Sequence, residues 1–435
     1  MSDPKKRRHL SVWTAASFVI ASMIGTGVFT SLGFQLVDIQ SIFPLIMLWV
    51  IGGIIALCGA LSYSELATLY PRSGGEYHLL SIIIHPSIGF AAGIVSATVG
   101  FTAPSVLAAM ALGNYMSPLV PFIDPIVIAL LVIISIHFLH MINFRWGIIF
   151  QDSFTLIKIG LILSFIIFGV FTESNEHISM FPAYGDFKIL LSSEFAISLI
   201  WVSYAYTGWN SAVYIAGEIE SPKINIPKSM TLATMFVTGL YILLNYVFLY
   251  TTPIDLMIGK IEVGYIAGQH IFGNFGGKLI SLGISILLLS TVSSYIYIGP
   301  RIMHVMGEDH KILRILNSKN TDGIPIKSFW IQLAISIIFI LTSTFEQVLL
   351  YAGISLIVTT FFTVIALFTL RITKPNLKRT YKVLGFPIVP ALYLSINGWI
   401  LYYSFQKAFI ESLIGCGIFI MGIVLYFMLK KLEMK

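Results

Sequence analysis

Long apolar runs, separated by short charged or Pro/Gly-rich segments, dominate this chain of 435 residues. A helix that crosses a bilayer needs about 20 apolar residues. Twelve runs are near or above that length: 11–35, 41–69, 82–112, 125–143, 153–172, 194–217, 229–251, 277–300, 327–344, 347–371, 386–406 and 411–429. Since only 11% of the residues are charged, little remains for a water-soluble domain. The pattern predicts an all-α polytopic membrane protein with 12 transmembrane helices.

The lysines and arginines are unevenly divided between the two sides of these helices. If the N-terminus is cytoplasmic, the cytoplasmic segments hold 21 of the 26 cations, including those of the tails at 1–10 and 430–435. Cytoplasmic loops accumulate Lys and Arg, so both termini are predicted to be cytoplasmic, in a plasma or inner membrane. Because these cations lie between apolar runs and form no stripe on a soluble face, nucleic acid is excluded as a partner.

Residues that could support other functions are sparse. Cys58 and Cys416 lie inside apolar runs, which favours neither a disulfide framework nor a thiolate metal site. His137 and His140 are one turn apart, but no Cys or carboxylate accompanies them at ligand spacing, so we predict no metal and no cofactor. The chain has no phosphate-binding loop with the Gly-x-x-x-x-Gly-Lys-Ser/Thr pattern, and no pattern typical of a membrane-embedded enzyme or a channel filter.

Glycine interrupts two of the runs near mid-membrane, the first at 24–27 and the sixth at 204–209. Because Gly is a poor helix former, one interpretation is that small residues there allow close helix packing. Each interruption falls in the first run of a group of five, which favours the alternative of unwound helices at the site of an inverted-repeat transporter. The groups are 11–172 and 194–371, followed by helices 11 and 12 at 386–429.

Unwinding a helix leaves backbone N–H and C=O groups unpaired, which a membrane tolerates only where a ligand or a cavity satisfies them. The N-terminus of a half-helix offers the positive end of its dipole to a carboxylate, and freed carbonyls accept hydrogen bonds from an ammonium. The residues alone therefore favour a zwitterionic substrate, while an anion or an inorganic ion stays an open alternative.

Five motifs, in order along the chain, resemble those of the amino acid/polyamine/organocation permeases, and among them the bacterial relatives of the light subunits of heteromeric amino acid transporters. The motifs cover 21–29, 63–66 with 71–77, 217–222 with 226–228, 299–301 and 381–390. The resemblance implies the leucine-transporter fold. In that fold a 5+5 inverted repeat with discontinuous helices 1 and 6, plus two C-terminal helices, alternates access to a central amino acid site.

The resemblance also implies how a substrate is held. The N–H groups of Thr26 and Gly27, with the Thr26 hydroxyl, would bind its carboxylate. Tyr204 occupies the place of an aromatic gate, although Phe is commoner there in the family. Backbone carbonyls would bind the ammonium, and those are the carbonyls of Met23, Tyr204, Ala205 and Thr207.

Lys158 is the one lysine or arginine predicted to lie inside a membrane-spanning helix. An ammonium at that depth costs at least about 2.5 kcal/mol, unless the side chain snorkels toward headgroups from its place near Asp152. The resemblance favours a functional interpretation, because family members without sodium coupling carry a lysine in the fifth span. Its ammonium would then bridge Gly25 to hydroxyl groups of the eighth span. The candidates there are Ser290, Thr291, Ser293 and Ser294, of which Ser294 is assigned to coupling and gating and Ser293 to substrate binding.

Small side chains at Ala108, Ser293 and Gly353 in the helices that would line the side-chain pocket favour neutral amino acids. The mode of transport stays open between exchange and proton symport, and another small amine or a polyamine is the alternative substrate. The outer loop at 113–124 has no Cys, so we expect no disulfide-linked heavy subunit. Glu65 is predicted to pair with Arg72 or to cap the first cytoplasmic loop.

Overall fold

A computed structural model describes most of the chain, namely residues 10–72, 74–142, 146–172, 181–320 and 324–433, without the side chains of 146–155 and 433. The basic tail at 1–9, the acidic loop residues at 173–180 and residues 434–435 lie outside this described part. The predictions made for them stay predictions.

Regular structure in the described residues is helical, apart from one β-bridge between Leu10 and Ile219. The helices are α1 (Val12–Met23), α2 (Gly27–Asp38), α3 (Ile42–Leu69), α4 (Gly75–Ile83), α5 (Pro86–Val95), α6 (Thr102–Met116), α7 (Pro125–Ile142), α8 (Trp146–Val170), α9 (Asp186–Ile189), α10 (Ser193–Tyr206), α11 (Ser211–Tyr214), α12 (Pro222–Thr251), α13 (Ile254–Met257), α14 (Val263–Asp309), α15 (Ile326–Thr342), α16 (Phe345–Thr373), α17 (Ile388–Lys407) and α18 (Phe409–Glu433). A π-helical turn, Ser96–Gly100, joins α5 to α6, and 3₁₀ turns occur at Ala216–Glu218 and Lys311–Asn317.

Nine helical segments of the described chain are long and apolar enough to cross a membrane, and two shorter apolar helices, Leu156–Val170 and Ile326–Thr342, accompany them. The prediction of an all-α, multi-pass membrane protein is therefore confirmed. The 47-residue helix α14 bends at Gly273, whose φ of 73° is not helical, and the predicted eighth run begins after this bend. The predicted third run starts too early, because α4 ends at Ile83 and a new helix begins at Pro86.

The helices that carry the glycine interruptions lie inside the bundle. Helix α3 packs along α12, α6 packs on α14, and α10 contacts α2, α3, α16 and α17. Aromatic rings fill the space between α3, α10 and α12, where Tyr241 lies 5.6 Å from Trp49 and 5.1 Å from Tyr206 between ring centroids. The outer helices α7 and α18 bury only 22% of their most apolar stretch, so most of their Leu, Ile and Phe side chains lie on the outer surface of the bundle.

Candidate functional site

The first predicted interruption is a break between two helices. Helix α1 ends at Met23, Ile24 leaves the helical region with φ −75° and ψ 92°, and α2 starts at Gly27. Thr26, the residue before α2, makes no side-chain capping bond to the helix. The N-terminal end of the α2 dipole therefore opens at the break, which is a favourable place for negative charge.

The second interruption is also a break. Helix α10 ends at Tyr206, Thr207 is extended with ψ 139°, and Gly208 adopts a φ of 107° before α11 begins at Ser211. That φ favours glycine. A Cβ on Gly208 would also lie 2.7 Å from the backbone of Ser22, so the chain at this break lies against the end of α1.

The two breaks touch each other at Gly27. A Cβ there would lie 2.5 Å from Cα of Ala205 and 2.7 Å from its Cβ, a separation that atoms do not tolerate. Glycine at 27 is thus required by the close approach of α2 to α10, and the same approach brings the exposed backbone groups of both breaks to one place.

A small cavity occupies the place where the breaks meet. Ser22, Gly25 and Tyr295 contribute to its wall. All six residues of the first and sixth runs that were assigned to the substrate also line it, namely Met23, Thr26, Gly27, Tyr204, Ala205 and Thr207. The sequence-based assignment therefore selected residues that the fold brings together.

Tyr241 of α12 connects the two breaks, and no sequence signal indicated it. Its hydroxyl lies 2.7 Å from the Met23 carbonyl and 3.2 Å from the Ala205 carbonyl, with the oxygen fully buried between them. Both carbonyls belong to the set predicted to bind an ammonium. Because a carbonyl oxygen has two lone pairs, each can accept a further hydrogen bond beside the one from Tyr241.

A larger cavity of about 590 Å³ continues from the breaks toward the N-terminal end of α1. Its wall runs from Gly25 and Tyr204 past Gly353 to Leu10, Glu218 and Arg301, the last three lying at the end of the molecule that carries the N-terminus. Ala108 is fully buried and is not among the residues of this wall.

The opposite end of the site is closed by packed side chains. Phe34 stacks between Trp201 and Phe345, with ring centroids 4.8 and 5.7 Å apart. The Gly33 carbonyl accepts a 2.8 Å bond from the Gly259 backbone, which draws the loop after α13 over α2. Among the described residues, the large cavity thus extends to the end of the bundle at which α1 begins, while packed side chains lie at the opposite end.

Lys158 lies beside the first break, buried with 7% of its surface exposed. Its Nζ donates a 3.1 Å hydrogen bond to Oγ1 of Thr291, one of the predicted hydroxyl partners on α14. Lys158, Thr291 and Gly25 line the large cavity together, and a Cβ on Gly25 would lie 3.8 Å from Cγ2 of Thr291. A direct bond from Lys158 to the backbone at Gly25 stays a prediction.

The serines of α14 divide between two faces of the helix. Ser290 and Ser294 line the large cavity with Thr291. Ser293, predicted to contact substrate, instead bonds to Nε2 of His140 on α7 at 2.9 Å, away from the cavity wall. At about 100° per residue, Ser293 points about 160° away from Thr291 around the helix axis. The contact of Ser293 with substrate stays a prediction that this arrangement does not favour.

Glu65 and His137 each have defined contacts in the structure. Glu65 pairs with Arg371 at 2.6 Å and Arg379 at 3.0 Å, not with Arg72, so the ion pair joins the end of α3 to the end of α16 and the segment after it. His137 bonds to the carbonyl of Ile133. No group of three or more metal-ligating side chains occurs among the residues that the structure describes.

Comparison with known proteins agrees with this architecture. The family model described as amino acid permease matches residues 10–430. The serine/threonine exchanger SteT of Bacillus subtilis (strain 168) is 26% identical, over 99% of this chain and 98% of that protein. The large neutral amino acids transporter small subunit 2 of Oryctolagus cuniculus is 25% identical, over 97% of this chain and 80% of that protein. The b(0,+)-type amino acid transporter 1 of Mus musculus is 24% identical, over 97% and 88%.

A multi-pass membrane protein whose two broken helices meet at a polar cavity has the form of a secondary transporter. Because the family model covers nearly the whole chain, the chain belongs to the amino acid permease family, within the superfamily that its motifs predicted.

Proposed function

We propose that this protein carries small neutral amino acids across the cell membrane by sodium-independent exchange, with alternating access to the cavity at the two helix breaks. The observation that carries the proposal is the convergence of Met23, Thr26, Gly27, Tyr204, Ala205 and Thr207 on one cavity that borders both breaks. The similarity to a serine/threonine exchanger along 99% of this chain supports exchange as the mode of transport.

The backbone at the breaks would recognise the two charges that every amino acid carries. The carboxylate would lie at the start of α2, bound by the N–H groups of Thr26 and Gly27, where the helix dipole favours an anion. The ammonium would lie against the carbonyls of the α10 break and of Met23. Because main-chain groups hold these two charges, the side chain of the substrate would be selected by the rest of the cavity.

The wall around the breaks favours an uncharged substrate side chain. The small cavity is lined by glycine, alanine and hydroxyl-bearing or apolar side chains, and none of its lining residues is an acid or a base. Gly353 on α16 adds space without charge in the larger cavity. A cationic substrate would leave an unpaired charge there, which is costly in a buried site.

Lys158 would act where sodium acts in sodium-coupled relatives of the fold. Its ammonium places a fixed positive charge beside α1 and is bonded to Thr291. Tyr204, Gly25 and Ser294 would move with the breaks as the cavity closes. A resident cation in this position makes a sodium ion at the same place electrostatically unfavourable.

The topology that we propose has twelve crossings and two inverted five-helix repeats, 11–172 and 194–371, with helices 386–429 appended. Matching helix breaks, at α1 to α2 and at α10 to α11, support the repeat. The excess of Lys and Arg on the side of the N-terminus supports a cytoplasmic location of both termini. With that orientation, the large cavity opens toward the cytoplasm.

The decisive experiment is counter-transport in proteoliposomes, with a panel of all twenty amino acids and representative polyamines, with and without sodium and with and without a pH gradient. We expect exchange of small neutral amino acids that does not change when sodium is replaced by choline. An absolute requirement for sodium would contradict the role of Lys158. Uptake restricted to polyamines, or no uptake of any substrate by folded protein, would overturn the proposed substrate.

A further inference from the structure

Glu76 is a buried acid at the cavity that the proposed transport cycle does not use. It lies in the first turn of α4, only 2% of its surface is exposed, and it contributes to the wall of the large cavity. Helix α4 is not one of the apolar spans; it follows α3 at the end of the molecule that carries the N-terminus.

Three side chains from three different parts of the fold donate hydrogen bonds to this carboxyl group. Tyr63 of α3 donates to Oε1 at 3.2 Å, and Asn210, the last residue of the second helix break, donates to the same oxygen. Tyr214 of α11 donates to Oε2. Glu76 therefore ties the short helix that follows the break to the scaffold formed by α3 and α4.

The titratable groups nearest to Glu76 are neutral tyrosine hydroxyls. They are the hydroxyls of Tyr63 and Tyr214, and the more distant hydroxyl of Tyr393 on α17. Among the described residues, no lysine or arginine lies within ion-pair distance of Glu76. Burial raises the pKa of the Glu76 carboxyl, and the bonds from Tyr214, Tyr63 and Asn210 oppose this without cancelling it.

We propose that Glu76 is a proton-binding site open to the cavity, and that its protonation releases α11 and the second helix break from α3 and α4. The proposal rests on the proposed function only in so far as α11 moves during transport. It adds to the cycle a proton acceptor, and a control of exchange by the pH on the side to which the cavity opens.

The chemistry of the carboxyl group explains the release. An ionised carboxylate only accepts hydrogen bonds, so it can satisfy all three donors at once. A protonated carboxyl carries a hydrogen on one oxygen, so a tyrosine hydroxyl that donates to that oxygen must turn to accept, and the bond it donated is lost. Charge-assisted hydrogen bonds are also stronger than neutral ones. Protonation therefore weakens the hydrogen bonds from Asn210 and Tyr214 that hold α11 to Glu76. It disfavours the position of α11 against α3 and α4.

Exchange measured as a function of pH tests the proposal. The wild-type rate should change with a midpoint above the ordinary range of a glutamate, and Glu76→Gln, which cannot ionise, should reduce the ratio of the rates at about pH 5 and about pH 8 to about 1. The matched control is Glu194→Gln. Glu194 is a partly exposed acid paired with Lys407 at 3.1 Å, it is not among the residues that line either cavity, and its replacement should leave the profile unchanged.

Tyr63→Phe keeps the test decisive if Glu76→Gln is inactive. Removing one donor to the ionised form should move the midpoint upward by about one pH unit.

An infrared pH titration of the purified protein detects the protonated carboxyl directly and needs no transport. If the wild type exchanges amino acids but Glu76→Gln keeps its pH profile, or if Tyr63→Phe leaves the midpoint in place, the proposal is wrong. If the wild type exchanges nothing, the proposed function fails, and loss of the carboxyl band in Glu76→Gln still decides whether Glu76 binds a proton.

Discussion

At the scale of single residues, the geometry of the site depends on three residues that tolerate little substitution. Gly27 lets α2 approach α10, Gly208 supplies a backbone conformation that other residues avoid, and the Tyr241 hydroxyl joins the carbonyls of Met23 and Ala205. Each of these residues acts on the backbone of the breaks, so their replacement should affect the binding of every substrate to a similar degree.

Gly27→Ala should reduce exchange at least about tenfold while the folded protein is still produced, because a Cβ placed 2.5 Å from Ala205 must push the breaks apart, and displacements of about 1 Å in an active site can cost about 100-fold. Gly239→Ala is the matched control. A Cβ on Gly239 meets no atom within 4 Å, so exchange and melting temperature should be unchanged. Equal activity of the two variants would remove Gly27 from the site.

Tyr241→Phe should weaken substrate binding by about thirtyfold, since it leaves two buried carbonyls without their partner and the two hydrogen bonds contribute about 1 kcal/mol each. The control is Tyr246→Phe on the same helix, where the ring stacks on Tyr250. Binding can be followed by the substrate-induced rise in melting temperature. Undiminished stabilisation by substrate in Tyr241→Phe would show that the bridge between the breaks is not needed.

At the scale of helices, the breaks are held by connections that run between ends of elements far apart in the chain. Leu10 pairs with the segment after α11 through two backbone bonds, of 2.8 Å to Glu218 and 2.9 Å from Glu220. Glu65 connects α3 with Arg371 at the end of α16 and with Arg379 beyond it. These connections define which helix ends can move together.

Glu65→Gln should lower the melting temperature by several degrees, because it removes the charge that two arginines share and the Arg379 side chain is only 4% exposed. Breaking a buried ion pair costs about 3 to 5 kcal/mol of folding free energy. Because Arg371 is partly exposed, we expect the cost of Glu65→Gln to lie at the lower end of that range. Glu194→Gln, which breaks an exposed pair with Lys407, is the comparison and should shift the melting temperature by much less. Similar shifts in both variants would contradict the account of Glu65.

The helices and the two breaks could be predicted because their signals are local. The length of an apolar run and a glycine within it can be read from a short segment, and the family motifs named six residues that the fold brings to one cavity. The partners could not be predicted in the same way. Tyr241 lies on α12, and its contact with the breaks depends on the rotation of that helix, while Arg371 is 306 residues from Glu65. Ser293 is a similar case within one helix. Closely spaced hydroxyl residues do not show which of them face the cavity, and Ser293 contacts His140 instead.

At the scale of the whole molecule, the large cavity is continuous with the end of the bundle at which α1 begins. The proposed orientation, with both termini in the cytoplasm, can be tested by labelling single cysteines. In a chain whose Cys58 and Cys416 are changed to Ser, Lys407→Cys should react with an impermeant maleimide added to intact cells, while Lys378→Cys should react only after the membrane is opened. The reverse pattern would invert the topology and place the large cavity on the outside.

The central claim is that an amino acid binds by its charged ends at the two helix breaks. The most direct test is an experimental structure with a small neutral amino acid bound. We predict that its carboxylate lies within hydrogen-bond distance of the Thr26 and Gly27 N–H groups and its ammonium beside the carbonyls of Met23 and the α10 break. Substrate bound elsewhere in the large cavity, with the breaks unoccupied, would contradict the account.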